Sequence, residues 1–94
     1  PILGGHVYIA PGGHQFAVER VGEGYVCRVT REARVNLHRP SVQVLFQSVA
    51  RHAGARAIGV LLTGMGADGA QGLLEMRQAG AYNIVQDEQT SVVW

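Results

Sequence analysis

The sequence has little cysteine, little charge and no long apolar run, and each of these absences excludes a class of protein. Cys27 is the only cysteine, which excludes an internal disulfide and a cysteine-built zinc cage and favours a reducing, cytoplasmic setting. Charged residues make up 16% of the chain and the formal net charge is +1, so the basic excess of a nucleic-acid binder is missing. No stretch approaches the roughly 18 consecutive apolar residues of a membrane-spanning helix. A hydrophobic content of 47% instead predicts a folded globular protein.

The length of the chain corresponds to one small domain. It has 94 residues, and a chain of this size buries only about 60–65% of its unfolded surface. It stops at Trp94, inside an apolar run. We therefore expect an incomplete domain whose sheet has an unpaired edge, and such an edge favours pairing with a second copy. A dimer or domain swap of this chain is a hypothesis that a strictly monomeric sedimentation profile would contradict.

The first third of the chain predicts β-structure. Residues 6–10 have strand-like composition and stop at a Pro-Gly-Gly turn signal. Apolar residues then alternate in two short runs separated by a glycine-rich turn, which predicts a β-hairpin; they are Phe16 and Val18, then Tyr25, Cys27 and Val29. Residues 31–39 are polar and indicate a loop.

The rest of the chain alternates between helix and strand patterns. Pro40 is expected in the first turn of a helix that ends at Gly54, with apolar positions at helical spacing: Val42, Leu45, Phe46, Val49 and Ala53. Residues 57–63 predict a strand buried on both faces. Residues 68–79 predict a helix that ends at Gly80, with Ala70, Leu73, Leu74 and Arg77 along one side, and residues 82–86 predict another strand. This order is typical of a doubly wound, mostly parallel α/β sheet, here with an antiparallel hairpin.

A glycine-rich loop follows the strand predicted at 57–63, where open α/β sheets bind their ligands. Gly64, Gly66 and Gly69 match the dinucleotide-binding spacing, and the acidic pair Asp87 and Glu88 follows about 20 residues later. Against this, Asp68 places a carboxylate where a pyrophosphate would lie. A nucleotide-binding α/β module therefore stays open as an alternative function.

Asp68 itself has two interpretations. Residues 68–71 form a capping-box pattern, with Asp68 as the N-cap and Gln71 at the third helical position. Alternatively, Asp68 is the acid that orients a histidine in a Ser-His-Asp set, because a helix N-terminus favours an ionised carboxylate.

Five segments, at 7–14, 38–42, 60–70, 76–81 and 86–88, resemble the chemotaxis protein-glutamate methylesterase family in the same order. The resemblance implies a Rossmann-like catalytic domain, joined to a receiver domain under phosphorelay control. It also implies hydrolysis of glutamate methyl esters on chemoreceptors, releasing methanol, and deamidation of receptor glutamines. It assigns Asp68 as the triad acid, the backbone N–H of Met65 as an oxyanion donor, and Gly64, Gly66 and Gly69 as the active-site loop, with no cofactor or metal.

The chain departs from the family pattern in the other two triad members. Its serines, Ser41, Ser48 and Ser91, lie outside any Gly-x-Ser-x-Gly setting. Its histidines are equally poor matches for the family's base: His6, His14, His38 and His52. We therefore expect residues 1–94 to be the C-terminal part of a methylesterase catalytic domain, inactive alone, with nucleophile and base upstream. A non-catalytic interaction domain is a further alternative. Arg39 and Arg77 are candidates for contacting glutamate-rich receptor helices.

Overall fold

A computed structural model describes residues 1–31, 33, 39–62, 68–86 and 91–93. The first element is an antiparallel hairpin of strands β1 (Gln15–Val21) and β2 (Gly24–Thr30). Its turn contains Gly22, whose φ of 60° lies in the left-handed region that glycine adopts without strain. Phe16 pairs with Val29 and Val18 pairs with Cys27, which confirms the predicted hairpin.

The first helix, α1 (Val42–His52), begins two residues later than predicted. Pro40 precedes the helix instead of lying in its first turn, because Ser41 is the N-cap with an extended backbone (φ −99°, ψ 130°). The end of α1 is as predicted: the Ala53 N–H donates to the Val49 carbonyl (2.8 Å) and Gly54 follows with a φ of 53°. A short 3₁₀ turn (Gly54–Arg56) leads into the next strand.

The second sheet contains strands β3 (Ile58–Leu61), β4 (Tyr82–Gln86) and β5 (Ser91–Val93), and helix α2 (Ala70–Gln78) follows β3. Strand β4 lies in the middle, parallel to β3 and antiparallel to β5. This confirms the α/β class with a parallel strand pair and an antiparallel hairpin. Strand β5 was not predicted, and it contains Ser91. Within the described ranges, neither helix is long and apolar enough to cross a bilayer.

The strand predicted at residues 6–10 is wrong, because the backbone there makes no ladder. Val7 and Ile9 are 89% and 86% exposed. The β-preference of such residues expresses how well they pack on a pleated, half-buried surface, so composition alone does not create a strand without a neighbour.

The predicted burial of β3 is also wrong, although the strand itself is present. Gly59 is buried, but Ile58 and Val60 are 67% and 48% exposed. One face of β3 packs against α2, and the other face is open in the described part of the chain. A continuous apolar run does not by itself show which faces are covered.

The core lies between the two helices and the second sheet. Its buried members are Phe46, Leu73, Met76 and Ala81. Helix α2 turns Gly72, Leu73 and Met76 inward, whereas Ala70 and Arg77 are exposed, so the predicted inward side of this helix was partly wrong. The reason is Gly72: an inward glycine carries no apolar side chain and so does not register in a hydrophobic pattern.

Gly72 allows the two helices to pack closely. A Cβ atom at this position would lie 2.7 Å from the Cβ of Phe46 and 3.1 Å from the carbonyl oxygen of Gln43. We expect Gly72→Ala to lower the free energy of unfolding by about 1–2 kcal/mol, because the 2.7 Å contact places the overpacking cost at roughly 2–3 kcal/mol, above the helix-propensity gain of about 1 kcal/mol. Urea denaturation measures this loss.

Gly12→Ala is the matched control for this substitution. Its Cβ would meet no atom within 4 Å, and its φ is not positive. Its stability should change by less than about 0.5 kcal/mol. A stabilised Gly72→Ala protein would show that the helices are not in the close contact described.

Candidate functional site

The site is organised around the carboxylate of Asp68, which is 1% exposed and lies just before α2. Its Oδ1 accepts hydrogen bonds from the Ser41 hydroxyl (2.7 Å) and from the Gln43 N–H (3.3 Å). Its Oδ2 accepts one from the Val42 N–H (2.8 Å). The donors all belong to the N-terminus of α1, more than 20 residues away along the chain. The carboxylate therefore caps a neighbouring helix.

This arrangement corrects the capping-box prediction. The N-cap of α2 is Gly69, not Asp68, and the Gly72 N–H in the first turn of α2 donates to Oε1 of Gln43 in α1 (2.7 Å). The prediction identified the correct kind of interaction, a carboxylate at a helix N-terminus, but placed it on the wrong helix. Spacing along the chain detects only local caps, whereas this one is made in the folded structure.

Gly69 brings Asp68 and α1 into contact. It has a φ of 93°, and a Cβ atom there would lie 2.6 Å from Cγ1 of Val42. Any larger residue would strain the backbone and push the first residue of α1 away from Asp68. Of the four loop positions predicted by resemblance, Gly69 is the one that the structure describes. The other three, Gly64, Met65 and Gly66, lie outside the described residues.

A buried glutamine connects this contact to the hairpin. Gln15, at the start of β1, accepts a hydrogen bond from the Ser41 N–H (2.8 Å) and donates one to the Ala33 carbonyl (2.9 Å). Gln15 and Ser41 are 2% and 1% exposed. Hydrogen bonds therefore connect the hairpin to Ser41 through Gln15, and Ser41 to Asp68 at the approach to α2.

The electrostatics of α1 favour a negative charge at this position. The first turn of α1 contains no acidic residue, while its last turn contains Arg51 and His52. The aligned peptide dipoles place roughly half a positive charge at the N-terminus of a helix, so the Asp68 carboxylate supplies the anion that the sequence of α1 lacks. A buried carboxylate with both oxygens tied to donors has a fixed orientation, as an acid that orients a histidine requires.

The two candidate arginines lie in different places. Arg39 is half-buried just before α1, and its Nε is enclosed without a hydrogen-bond partner among the described residues. Arg77 is exposed in the last turn of α2, at the far end of that helix from Asp68. The structure therefore places only Arg39 at the Asp68 end of the helices.

Of the candidate histidines, the structure describes His6, His14 and His52. Ring nitrogens of His6 and His14 lie 2.9 and 3.0 Å from the carbonyls of Gly4 and Gly12. His52 ends α1, one helix length from Asp68. Ser48 is in the middle of α1 and accepts a hydrogen bond from the Val18 N–H (2.9 Å). His38, Asp87 and Glu88 lie outside the described residues.

Sequence reasoning missed Ser41 and Gln15 as parts of the site. The sequence motifs indicate Ser41 only as a poor candidate nucleophile and do not single out Gln15. One signal was available: a serine at the start of a helix whose first turn has no acid of its own indicates an unfilled position for an anion. Nothing in the sequence around Gln15 indicates its contact with Ser41, 26 residues away.

Comparisons with known proteins agree with the resemblance found in the sequence. A family model described as CheB methylesterase matches residues 1–94. A protein-glutamate methylesterase/protein-glutamine glutaminase of Hydrogenovibrio crunogenus is 56% identical over the whole chain, and one of Hahella chejuensis is 58% identical. The chain spans 25% and 26% of the length of these two curated relatives.

A solved structure shows the same architecture. The crystal structure of the Thermotoga maritima CheB methylesterase catalytic domain aligns with a TM-score of 0.81 and 30% sequence identity. The alignment covers 92% of this chain and 46% of the Thermotoga maritima chain.

Proposed function

Because this chain belongs to the CheB methylesterase family, we propose that it is the C-terminal part of the catalytic domain of a protein-glutamate methylesterase. The alignment with 46% of a solved catalytic domain supports the assignment to part of a domain. So does the open face of the second sheet, where Ile58, Val60, Leu62 and Tyr82 are 48–67% exposed. In the family that the sequence resembles, the nucleophile and the base precede the segments matched here, which supports the C-terminal position.

The proposed reaction is hydrolysis of a glutamate γ-methyl ester by a Ser-His-Asp mechanism. A serine upstream of this chain attacks the ester carbonyl while an upstream histidine takes its proton. Collapse of the tetrahedral intermediate releases methoxide, which receives that proton and leaves as methanol. Water then hydrolyses the acyl-enzyme with the same histidine as base. The backbone N–H of Met65 would help hold the oxyanion, a contribution of roughly 3–4 kcal/mol for one such donor.

The role of Asp68 carries the proposal. Its carboxylate is buried, and both of its oxygens are held by donors from α1. In this mechanism Asp68 keeps the histidine in the correct tautomer and stabilises its cationic form. We propose that Asp68 both caps α1 and orients the histidine.

We further propose the substrates and setting that the resemblance implies. The enzyme would act on methyl-accepting chemoreceptors at the cytoplasmic side of the membrane, under control of a receiver domain in the same protein. The names of the relatives include protein-glutamine glutaminase, which supports deamidation of receptor glutamines as a second reaction. An amide and a methyl ester present the same carbonyl to the nucleophile, so one site can serve both.

The nucleotide-binding alternative is not supported. Membership of the CheB methylesterase family opposes it. The pairing of two copies of this chain stays a prediction that sedimentation tests.

Methanol release tests the proposed function. The 94-residue chain and the longer protein that includes the upstream sequence are compared on membranes containing methyl-labelled chemoreceptors. We expect labelled methanol from the longer protein only, because the short chain lacks a serine in a nucleophile turn. Absence of methanol from the longer protein would contradict the proposed activity and leave only a similarity of fold with the family. Release by the short chain would show that its own serines or histidines complete the site.

A further inference from the structure

We propose that Ser41 is a positioning residue, which fixes the Asp68 carboxylate in the orientation that catalysis requires. This inference rests on the proposed methylesterase function. It assigns no contact with substrate to Ser41, which acts through Asp68 alone.

The first support is the direction of the Ser41 hydroxyl bond. A serine at an N-cap normally accepts a hydrogen bond from an N–H in the first turn of its own helix. Ser41 makes no such bond. Its hydroxyl instead donates to Oδ1 of Asp68 at 2.7 Å, and the N–H groups of Val42 and Gln43 also donate to Asp68. The side chain of Ser41 therefore orders the carboxylate, not its own helix.

The second support is how the two carboxylate oxygens are distinguished. Oδ2 has a 2.8 Å bond from the Val42 N–H, whereas the backbone donor to Oδ1, Gln43, lies at 3.3 Å. Of the bonds to Oδ1 from Gln43 and Ser41, the 2.7 Å bond from the Ser41 hydroxyl is the shorter. Without it, the 3.3 Å bond from the Gln43 N–H would replace the 2.7 Å bond as the shorter of these contacts to Oδ1, and the carboxylate plane would be held less firmly against rotation about the Cβ–Cγ bond.

The third support is that Ser41 is itself held in place. It is 1% exposed, and its N–H donates to Oε1 of Gln15 at 2.8 Å. A positioning group must be fixed more rigidly than the group it positions, and a buried residue bonded on both sides meets this condition. The resulting chain of contacts runs from β1 through Ser41 to Asp68.

The test uses the longer, catalytically complete protein. We expect Ser41→Ala to lower kcat for methanol release about tenfold and to leave KM unchanged, because a misoriented acid weakens the transition state but not substrate binding. Ser41→Gly is the second variant, since glycine is accepted at an N-cap and also lacks the hydroxyl. It should lose kcat to a similar extent, so the result does not depend on whether Ser41→Ala folds.

Ser48→Ala is the matched control. Ser48 lies in the same helix, is 8% exposed and uses its hydroxyl in hydrogen bonds with Val18 and Leu45, away from Asp68. It should lower the melting temperature without changing kcat below that temperature. If Ser48→Ala and Ser41→Ala reduce kcat equally, Ser41 has only a structural role and the inference is wrong.

A double-mutant cycle separates this inference from the proposed function. In the Asp68→Asn background, Ser41→Ala should cause no further loss of kcat, because there is no longer a triad acid to position. An independent tenfold loss in that background would overturn the inference while leaving the proposed function intact. An inactive wild-type protein would overturn the proposed function instead, and the inference with it.

Discussion

Asp68→Asn in the catalytically complete protein is expected to lower kcat by about 10⁴, the loss seen for this substitution in the serine-protease template. The amide is neutral and cannot stabilise a positively charged imidazolium. It also presents an NH₂ group where the histidine needs an acceptor, which favours the wrong tautomer. Methanol release at saturating substrate measures the change.

The same substitution should also destabilise the fold, because three donors face the carboxylate. If the asparagine oxygen takes the Oδ1 position, its NH₂ group faces the Val42 N–H, and the reverse orientation opposes two donors. At least one buried donor loses its acceptor, at a cost of about 1–3 kcal/mol. Denaturation of the variant measures this loss separately from activity, and it is too small to unfold a domain of ordinary stability.

Glu75→Gln is the control for Asp68→Asn. Glu75 lies in α2 and accepts a hydrogen bond from Nε2 of Gln47 at 2.9 Å, which the amide oxygen of glutamine can still accept. We expect this variant to keep full activity. Full activity of Asp68→Asn would leave Asp68 as a cap for α1 alone and would refute its catalytic assignment.

Much of the fold could be predicted from the sequence because it depends on local patterns. The hairpin follows from the alternation of Phe16 and Val18 with Cys27 and Val29, and the parallel pair of β3 and β4 follows from the order of apolar runs. The wrong predictions concern which faces of a strand or helix are buried by neighbouring elements. The exposure of Ile58 depends on which layers surround β3, and a pattern within β3 contains no such information.

The candidate site could be predicted only in part, for a related reason. The motif around Asp68 predicts a site residue there, and the structure shows that its carboxylate lies at a helix N-terminus. The identity of that helix depends on a contact across 26 residues between Asp68 and Val42. Ser41 and Gln15 become part of the site through the same long-range packing. Sequence patterns thus indicate that a carboxylate such as that of Asp68 caps a helix, but the folded structure determines which helix it caps.

Leu73→Ala is expected to lower the free energy of unfolding by about 2–5 kcal/mol, the usual cost of truncating a buried leucine. Leu73 is 0% exposed and lies in the core with Phe46 and Met76. Its Cδ1 would lie only 2.7 Å from a Cβ atom at Gly59, so it packs directly on the backbone of β3. Little can collapse into the space that truncation leaves, which places the expected loss in the upper half of the range.

Leu74→Ala is the sharpest control for this loss, because the two leucines are adjacent and chemically identical. The sequence pattern placed both on the inward side of α2, whereas the structure buries Leu73 and leaves Leu74 half-exposed. Leu74→Ala should therefore cost less than half as much as Leu73→Ala in urea denaturation. Equal losses would mean that Leu74 is buried as deeply as Leu73, as the sequence pattern predicts. That result would contradict the packing of Gly72 against α1. Since that packing places the N-terminus of α1 beside Asp68, the comparison tests the foundation of the site without measuring activity.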